Sequence, residues 1–404
     1  MNLIIFEDRE ANGFYPLAVS HPVYDLFYGC SNVVNRLKYY FKPEGITLYC
    51  RDYLKHVSSE RFGCPANITA ILDDEYLIVN AALTPNLEVF NELKSSENNT
   101  VFVNGQTLIG ARLSGKVFRE TPLTEIINDY NSLPAKVIVK EVQASIFKHL
   151  WDIVNFNSQA INVDIKLFPE IRNWRSSKRS SRYDDDVYVH PSAAVSAGAF
   201  IDVSRGPVVI DEDAIIEPRS LIQGPVYIGH KSAVLGGIIR EGCSLGPVCK
   251  VGGELEESII LGYANKSHEG FIGHSYIGEW VNLGALTTNS DLKNNYAEIT
   301  VRLSGNDIPT GSIKIGCFIG DHSKTGIGTL LNTGIVIGFC NNLYGGSLFI
   351  DKEIGHFKWG TPGNLTEFKL NKAIGIAQNV MARRGCEFTS SINNLFERIH
   401  KMQM

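Results

Sequence analysis

Long hydrophobic runs are missing from this chain of 404 residues. No apolar stretch approaches the ~18 residues a membrane span needs, and MNLIIF runs straight into Glu7, Asp8, Arg9 and Glu10, which is unlike a secretory leader. An excess of basic charge is missing too. The net charge of −5 argues against a nucleic-acid-binding body, which would be basic. The eight cysteines include no CxxC pair and match no common zinc spacing, so they are expected to be reduced structural thiols in a cytoplasmic protein. Asn98-Asn99-Thr100 is then a chance match to a glycosylation acceptor. The two familiar phosphate cradles, GxGxxG and GxxxxGK[ST], do not occur in the first half. What remains, 44% hydrophobic and 20% charged over this length, is the composition of a soluble protein of two or three domains.

What the sequence does have is a rhythm of six. Phe271, Ile277 and Leu283 fall six residues apart, with Gly278 and Gly284 each following a repeat position. The same spacing links Val189, Val195 and Ile201, then Val209, Ile215 and Leu221, then Leu245 and Val251. After a break it links Ile313, Ile319, Thr325, Leu331 and Ile337. Six-residue recurrence of an aliphatic side chain suits a parallel β-helix, whose faces stack equivalent residues along the axis. An amphipathic helix would need apolar returns at three and four residues, and each interior glycine would cost it up to about 1 kcal/mol. Cys243 and Cys249, also six apart, are expected at equivalent places on successive coils. The repeat region runs from Val187 to about residue 350, and the polar stretch from Asn289 to Gly311 should project as a loop.

Residues 1–175 alternate short apolar runs with helical patterns: strands at 2–6, 46–50, 70–72, 77–79, 101–103 and 137–139, and helices at 31–40 and 123–130. That alternation predicts an α/β domain with a largely parallel sheet, whose ligand would bind at the carboxyl ends of the strands. Residues 176–186 lie in RSSKRSSRYDDD, four basic residues then three aspartates, and read as a solvated linker, with an anion-binding strap at the domain junction as the alternative. Beyond residue 350 the period turns helical, and an extension over 351–404 should form two short helices that serve packing.

The chemistry concentrates between Arg240 and Lys293. Histidine is the side chain best suited to take a proton near neutral pH, as when an amine attacks a thioester. His268 sits in polar sequence just before the coil restarts. Lys266, Asn289 and Lys293 nearby can bind phosphate or orient an amine, and Gly273 and Gly284 would admit a close ligand. His274 is the competing base, but it falls inside the regular hexapeptide, where a coil-surface role fits better.

Two segments, Arg240 to Gly253 (REGCSLGPVCKVGG) and His268 to Ala285 (HEGFIGHSYIGEWVNLGA), resemble the acetyltransferase half of the bifunctional UDP-N-acetylglucosamine pyrophosphorylase/glucosamine-1-phosphate N-acetyltransferases. Asn289-Ser-Asp-Leu-Lys293 resembles that family's NYDG loop with its following lysine. A divergent branch carries KxGGExE, YxNKxHxGFxGHSYxGEWxNLGA and SDLKNxY almost as written here. In the first half, Ser20 to Gly29 is similar to that branch's TRPVxDLRxG signature, Val79-Asn80-Ala81 to its VNxR-type turn, and Trp151 to Asn155 to its WDLVxxN motif. The resemblance implies a nucleotidyltransferase-like α/β domain, a left-handed β-helix and a homotrimer. It implies His268 as the catalytic base, Arg240 and Lys266 on the acceptor phosphate, and Asn289 and Lys293 positioning the sugar. Asn80 and Asp152 would bind nucleotide, and Asp164 would lie at its Mg²⁺. Acetyl-CoA would be the acyl donor, with a hexosamine 1-phosphate and UTP as co-substrates and a UDP-N-acetyl sugar as product.

Four departures qualify this. His21 and Phe27 replace both arginines of the TRPVxDLRxG signature, which removes two cations from a reaction that depends on charge neutralisation. Phe271 replaces a tyrosine and Ser258 a phosphate-contacting lysine. They leave open acylation of another sugar, on nitrogen or oxygen, beside a first domain that only binds nucleotide.

Overall fold

The computed structural model describes residues 1–67, 74–174 and 186–402. The expected strand at 70–72 lies outside them, as does the linker 176–186 except for Asp186. Contacts divide the chain into two compact units. The first is Met1–Phe14, His21–Leu26 and Ser31–Lys148; the second is Tyr15–Ser20, Phe27–Cys30 and His149–Met404.

The first unit is built on a six-stranded sheet. Its strands run in the order Gly45–Tyr49, Asn2–Phe6, Glu75–Asn80, Thr107–Ser114, Thr100–Asn104 and Ile138–Glu141. The three neighbours at one edge are parallel, because crossovers such as the helix Val33–Phe41, capped by the Asn32 side chain, return the chain to the same end. Thr107–Ser114, however, runs antiparallel to both its neighbours, so the sheet is mixed rather than largely parallel. The unforeseen strand follows a two-residue turn, Gly105-Gln106, with Gly105 at φ +58°.

The second unit is a left-handed parallel β-helix. One face has ten strands and one has nine, while the third is split into pieces of five and three. Ile210, Ile216, Ile222, Ile228 and Val234 point inward and are fully buried. The six-residue spacing therefore holds, but the expected run Val209, Ile215, Leu221 is one residue out of phase, and Ile215 is 47% exposed. Each short strand carries two apolar residues in succession, and adjacent side chains take opposite faces, so the period alone does not say which enters. Ile313, 49% exposed, lies outside the coil. Cys243 and Cys249 occupy successive faces of one coil, not equivalent places on successive coils, because six residues make a face and three faces make a turn. Both are buried, and burial pushes the Cys249 thiol up to about 12.

The helix Leu150–Leu167 groups with the β-helix. Asn157 Nδ2 donates to the Gly242 carbonyl and to Ser244 Oγ, both at 2.9 Å. The interruption after Asn289 carries an antiparallel hairpin, Thr300–Leu303 with Asn306–Pro309. It does not simply project: Ile299 and Val301 are fully buried. The two C-terminal helices are Leu370–Ala382 and Ser390–Lys401, and Phe396 of the second packs on Phe339 with ring centroids 4.8 Å apart. No helix among the described residues is long and apolar enough to cross a membrane.

Candidate active site

The ten-stranded face carries two ladders. Inward, Ile216, Val234, Val251, Lys266, Leu283, Thr325 and Leu343 follow one another through the core. Outward, Lys250 pairs with Asn265, Asn265 with Asn282 and Asn282 with Lys324. At about 4.8 Å per strand, the two lysines stand ~14 Å apart. These outward residues line a cavity of about 740 Å³, into whose wall the exposed His268 is set, at the corner after strand Asn265–Lys266. That volume lies within the range of about 300–1,000 Å³ usual for small-molecule sites.

The cavity has a strong electrostatic bias. Lys250, Lys324, Arg383 and Arg384 line it, and no carboxylate does so among the described residues. Arg384 Nη2 donates to Asn265 Oδ1 at 2.9 Å, which ties the end of the helix Leu370–Ala382 to the face. Lys324 Nζ donates to the His322 carbonyl at 3.0 Å, and burial lowers its pKa. Tyr263 and Trp280 stack at 4.3 Å with their planes 15° apart and add a flat aromatic wall. Such a site suits a ligand that combines several phosphates with a ring.

The other expected residues distribute differently. Arg240 lies outside the cavity lining, on the five-stranded face, with Nε 2.5 Å from Glu254 and 3.8 Å from Glu256, and those carboxylates hold its pKa up. Asn289 is buried, and its amide closes on the backbone of Gly273, accepting from N–H at 2.9 Å and donating to the carbonyl at 3.1 Å. Lys293 Nζ donates to the Glu298 carbonyl at 2.7 Å inside its own loop. Gly273 and Gly284 serve coil packing rather than ligand approach. A Cβ on Gly273 would lie 2.7 Å from Asp291 Oδ2, and one on Gly284 2.6 Å from Gly326. Ser258 and His274 are framework too: Ser258 Oγ accepts from Ser275 N–H at 3.1 Å, and His274 Nδ1 meets Asp291 Oδ2 at 2.8 Å.

Lys266 is 1% exposed, with Nζ 2.5 Å from the His268 carbonyl oxygen. Burial lowers its pKa from the usual 10.5 to about 8, against a smaller opposing pull from Glu269. Between those values the unfolded chain holds a proton that the folded chain has released, so stability should rise with pH from about 8 to 10.5. Denaturant midpoints on either side of that window check this. Lys266→Met should flatten the rise.

In the first unit, Asn80 is spent on a turn. Its Nδ2 donates to Asp8 Oδ2 at 2.9 Å and to the Leu108 carbonyl at 3.0 Å, while its Oδ1 accepts from Ala82 N–H at 2.9 Å. A small cavity of about 200 Å³, lined by Glu7, Asp8, Arg9 and Arg51, lies at the carboxyl ends of the first strands, where ligands of such sheets bind. His21 is buried against Asp25 at 2.7 Å, and Arg61 reaches the same carboxylate at 3.2 Å. Asp152 and Asp164 belong to the second unit. Asp152 caps the helix Leu150–Leu167 by accepting from His149 N–H at 2.9 Å, and the fully buried Asp164 accepts from Cys30 N–H at 2.7 Å. Neither fits a Mg²⁺ site, and no group of three His, Cys, Asp or Glu among the described residues could hold a metal. Phe27 lies 5.8 Å from Tyr227, ring to ring.

Sequence reading missed Lys250, Lys324, Arg383, Arg384 and the Tyr263–Trp280 stack. The two lysines each precede an inward repeat residue, Val251 and Thr325, and a coil-by-coil alignment would have found them. Arg383 and Arg384 stand in no period.

Comparison with known proteins finds partial matches. Residues 3–173 match the sugar nucleotidyl transferase family. A bifunctional sugar-1-phosphate nucleotidylyltransferase/acetyltransferase of Sulfurisphaera tokodaii is 35% identical over 155 residues, covering 38% of each chain. The bifunctional protein GlmU of Methanocaldococcus jannaschii is 33% identical over 221 residues, covering 50% of this chain and 44% of that one. The matched stretches thus span less than half the length of these relatives. Among solved structures, the UDP-N-acetylglucosamine acyltransferase of Campylobacter jejuni matches at 14% identity and a TM-score of 0.20, covering 54% of this chain and 97% of that one. Residues 3–173 are thus similar to the sugar nucleotidyl transferases, and stretches of the chain are similar to bifunctional sugar-1-phosphate nucleotidylyltransferase/acetyltransferases.

Proposed function

We propose that the β-helix transfers an acetyl group from acetyl-CoA to the amine of a hexosamine 1-phosphate, with His268 as general base, and that the first domain converts the product with UTP into a UDP-N-acetyl sugar. One observation carries the first step: an exposed imidazole on the wall of a cavity lined by four cations and no carboxylate among the described residues. The amine nitrogen attacks the thioester carbonyl, the new C–N bond forms as the C–S bond breaks, and His268 takes the amine proton and returns it to the departing thiolate. The cationic wall neutralises the phosphates of both substrates. Mg²⁺ would supply charge neutralisation for uridylyl transfer, but the residues singled out for it do not fit, and no step is routed through it.

A homotrimer belongs to this reading. An exposed apolar stripe of Leu286, Ile327, Leu330, Tyr344, Leu348 and Ile350 borders the cavity at Ile327 and would be covered between adjacent β-helices. A second reading leaves the first domain binding nucleotide without turnover. It is favoured by His21, which is buried on Asp25 where the family signature has a cation.

One experiment tests both. Purified chain is given UTP, Mg²⁺, acetyl-CoA and glucosamine 1-phosphate, and CoA thiol and pyrophosphate are read separately. Both signals are expected from the bifunctional enzyme. CoA alone would establish the second reading, and the absence of both would refute the acceptor named here.

A further inference from the structure

The inward ladder of the ten-stranded face is aliphatic on both sides of one residue. Val251 precedes Lys266 and Leu283 follows it. An ammonium taken out of water there is costly unless it is hydrogen-bonded, so it requires a partner. That partner is the main-chain oxygen of His268, 2.5 Å from Nζ. Room for the contact comes from Gly253, which sits at φ +70°. A Cβ at that position would lie 2.8 Å from Nζ and 2.9 Å from the same carbonyl oxygen. The histidine ring makes no hydrogen bond among the described residues, unlike that of His274, which Asp291 holds. Its placement therefore depends on the backbone that carries it.

We propose that Lys266 is a positioning residue: from inside the coil it clamps the His268 carbonyl, with Gly253 vacating the space, and so fixes the imidazole at the cavity wall. The proposal rests on His268 being the base. It also removes Lys266 from the acceptor phosphate, since its ammonium is spent within the core.

Lys266→Met keeps the length and apolar body of the side chain and matches the aliphatic ladder; Lys266→Leu, which repeats the Leu283 that follows it along the ladder, is the second variant. The expected result is a fall in kcat of about 10- to 100-fold with an unchanged KM for glucosamine 1-phosphate, as for a base displaced by about an ångström. Amide hydrogen exchange at Glu269 and Gly270, which needs no substrate, should accelerate about tenfold or more as the clamp is lost. Parental kcat together with parental exchange would overturn the proposal. So would a raised KM at constant kcat, which would put the ammonium on the phosphate. His268→Ala is assayed beside them. If that variant retains full turnover, the general-base reading fails, while the exchange rates still decide whether Lys266 clamps the loop.

Discussion

Replacing His268 by alanine should lower turnover about 10²- to 10⁴-fold, the usual contribution of a general base, which is the role we propose for it. The folding free energy should stay within about 0.5 kcal/mol of the parent, because the side chain is exposed and the substitution keeps the backbone carbonyl that Lys266 holds. KM for both substrates should change little, since in the proposed role the imidazole acts on the proton transferred in the transition state rather than on ground-state binding. The steady-state measurement is CoA release at saturating acetyl-CoA, with a thermal melt on the same preparation. Unchanged turnover would sink the assignment. The same substitution at His274 makes the contrast. That ring is buried on Asp291 at the root of the interrupting loop, so its loss should appear in the melt before it appears in the rate.

How legible the site was follows from what each residue obeys. The repeat was visible because an aliphatic every six residues has no competing explanation, and Ile277, Leu283, Ile319, Leu331 and Ile337 all point into the core. His268 was visible because a polar run broke that repeat just before it. Asn289 and Lys293 were read as ligand groups from their residue types and Arg240 from the family resemblance, but neither a type nor a motif reveals a neighbour. Glu254, the Gly273 backbone and the Glu298 carbonyl had already claimed them. Lys266 shows the limit most clearly. It keeps the inward phase of the repeat, yet a lysine in sequence reads as exposed, and only the glycine one coil earlier, Gly253, leaves room for it. The strand Thr107–Ser114 was hidden for another reason: its glycine and arginine interrupt the apolar pattern, and antiparallel pairing on both sides secures it instead.

The second large effect should come from residues that no period announced. Arg383 and Arg384 end the helix Leu370–Ala382, where positive charge complements the helix dipole, and both line the cavity with Lys250 and Lys324. Coenzyme A carries a diphosphate and a ribose phosphate, more anionic groups than a sugar phosphate offers, and its adenine has a flat surface to offer Tyr263 and Trp280. A hydrogen bond to a charged group is worth about 1.5–3 kcal/mol, and each 1.4 kcal/mol is about tenfold in affinity. The double variant Arg383→Ala/Arg384→Ala should therefore raise KM for acetyl-CoA by about 10²-fold, leave kcat within about threefold because the base is untouched, and weaken the salt dependence of KM. Circular dichroism should show the helix retained, since its apolar contacts at Ala373, Ala377 and Met381 remain buried. A rise in KM confined to the sugar phosphate would move the cationic wall to the acceptor. Parental KM for both substrates would reduce the two arginines to a tether, with the Asn265 contact of Arg384 as their function. The tail would then be a packing element, as its sequence alone suggests, and the cavity's ligand would have to be held by Lys250 and Lys324 without it.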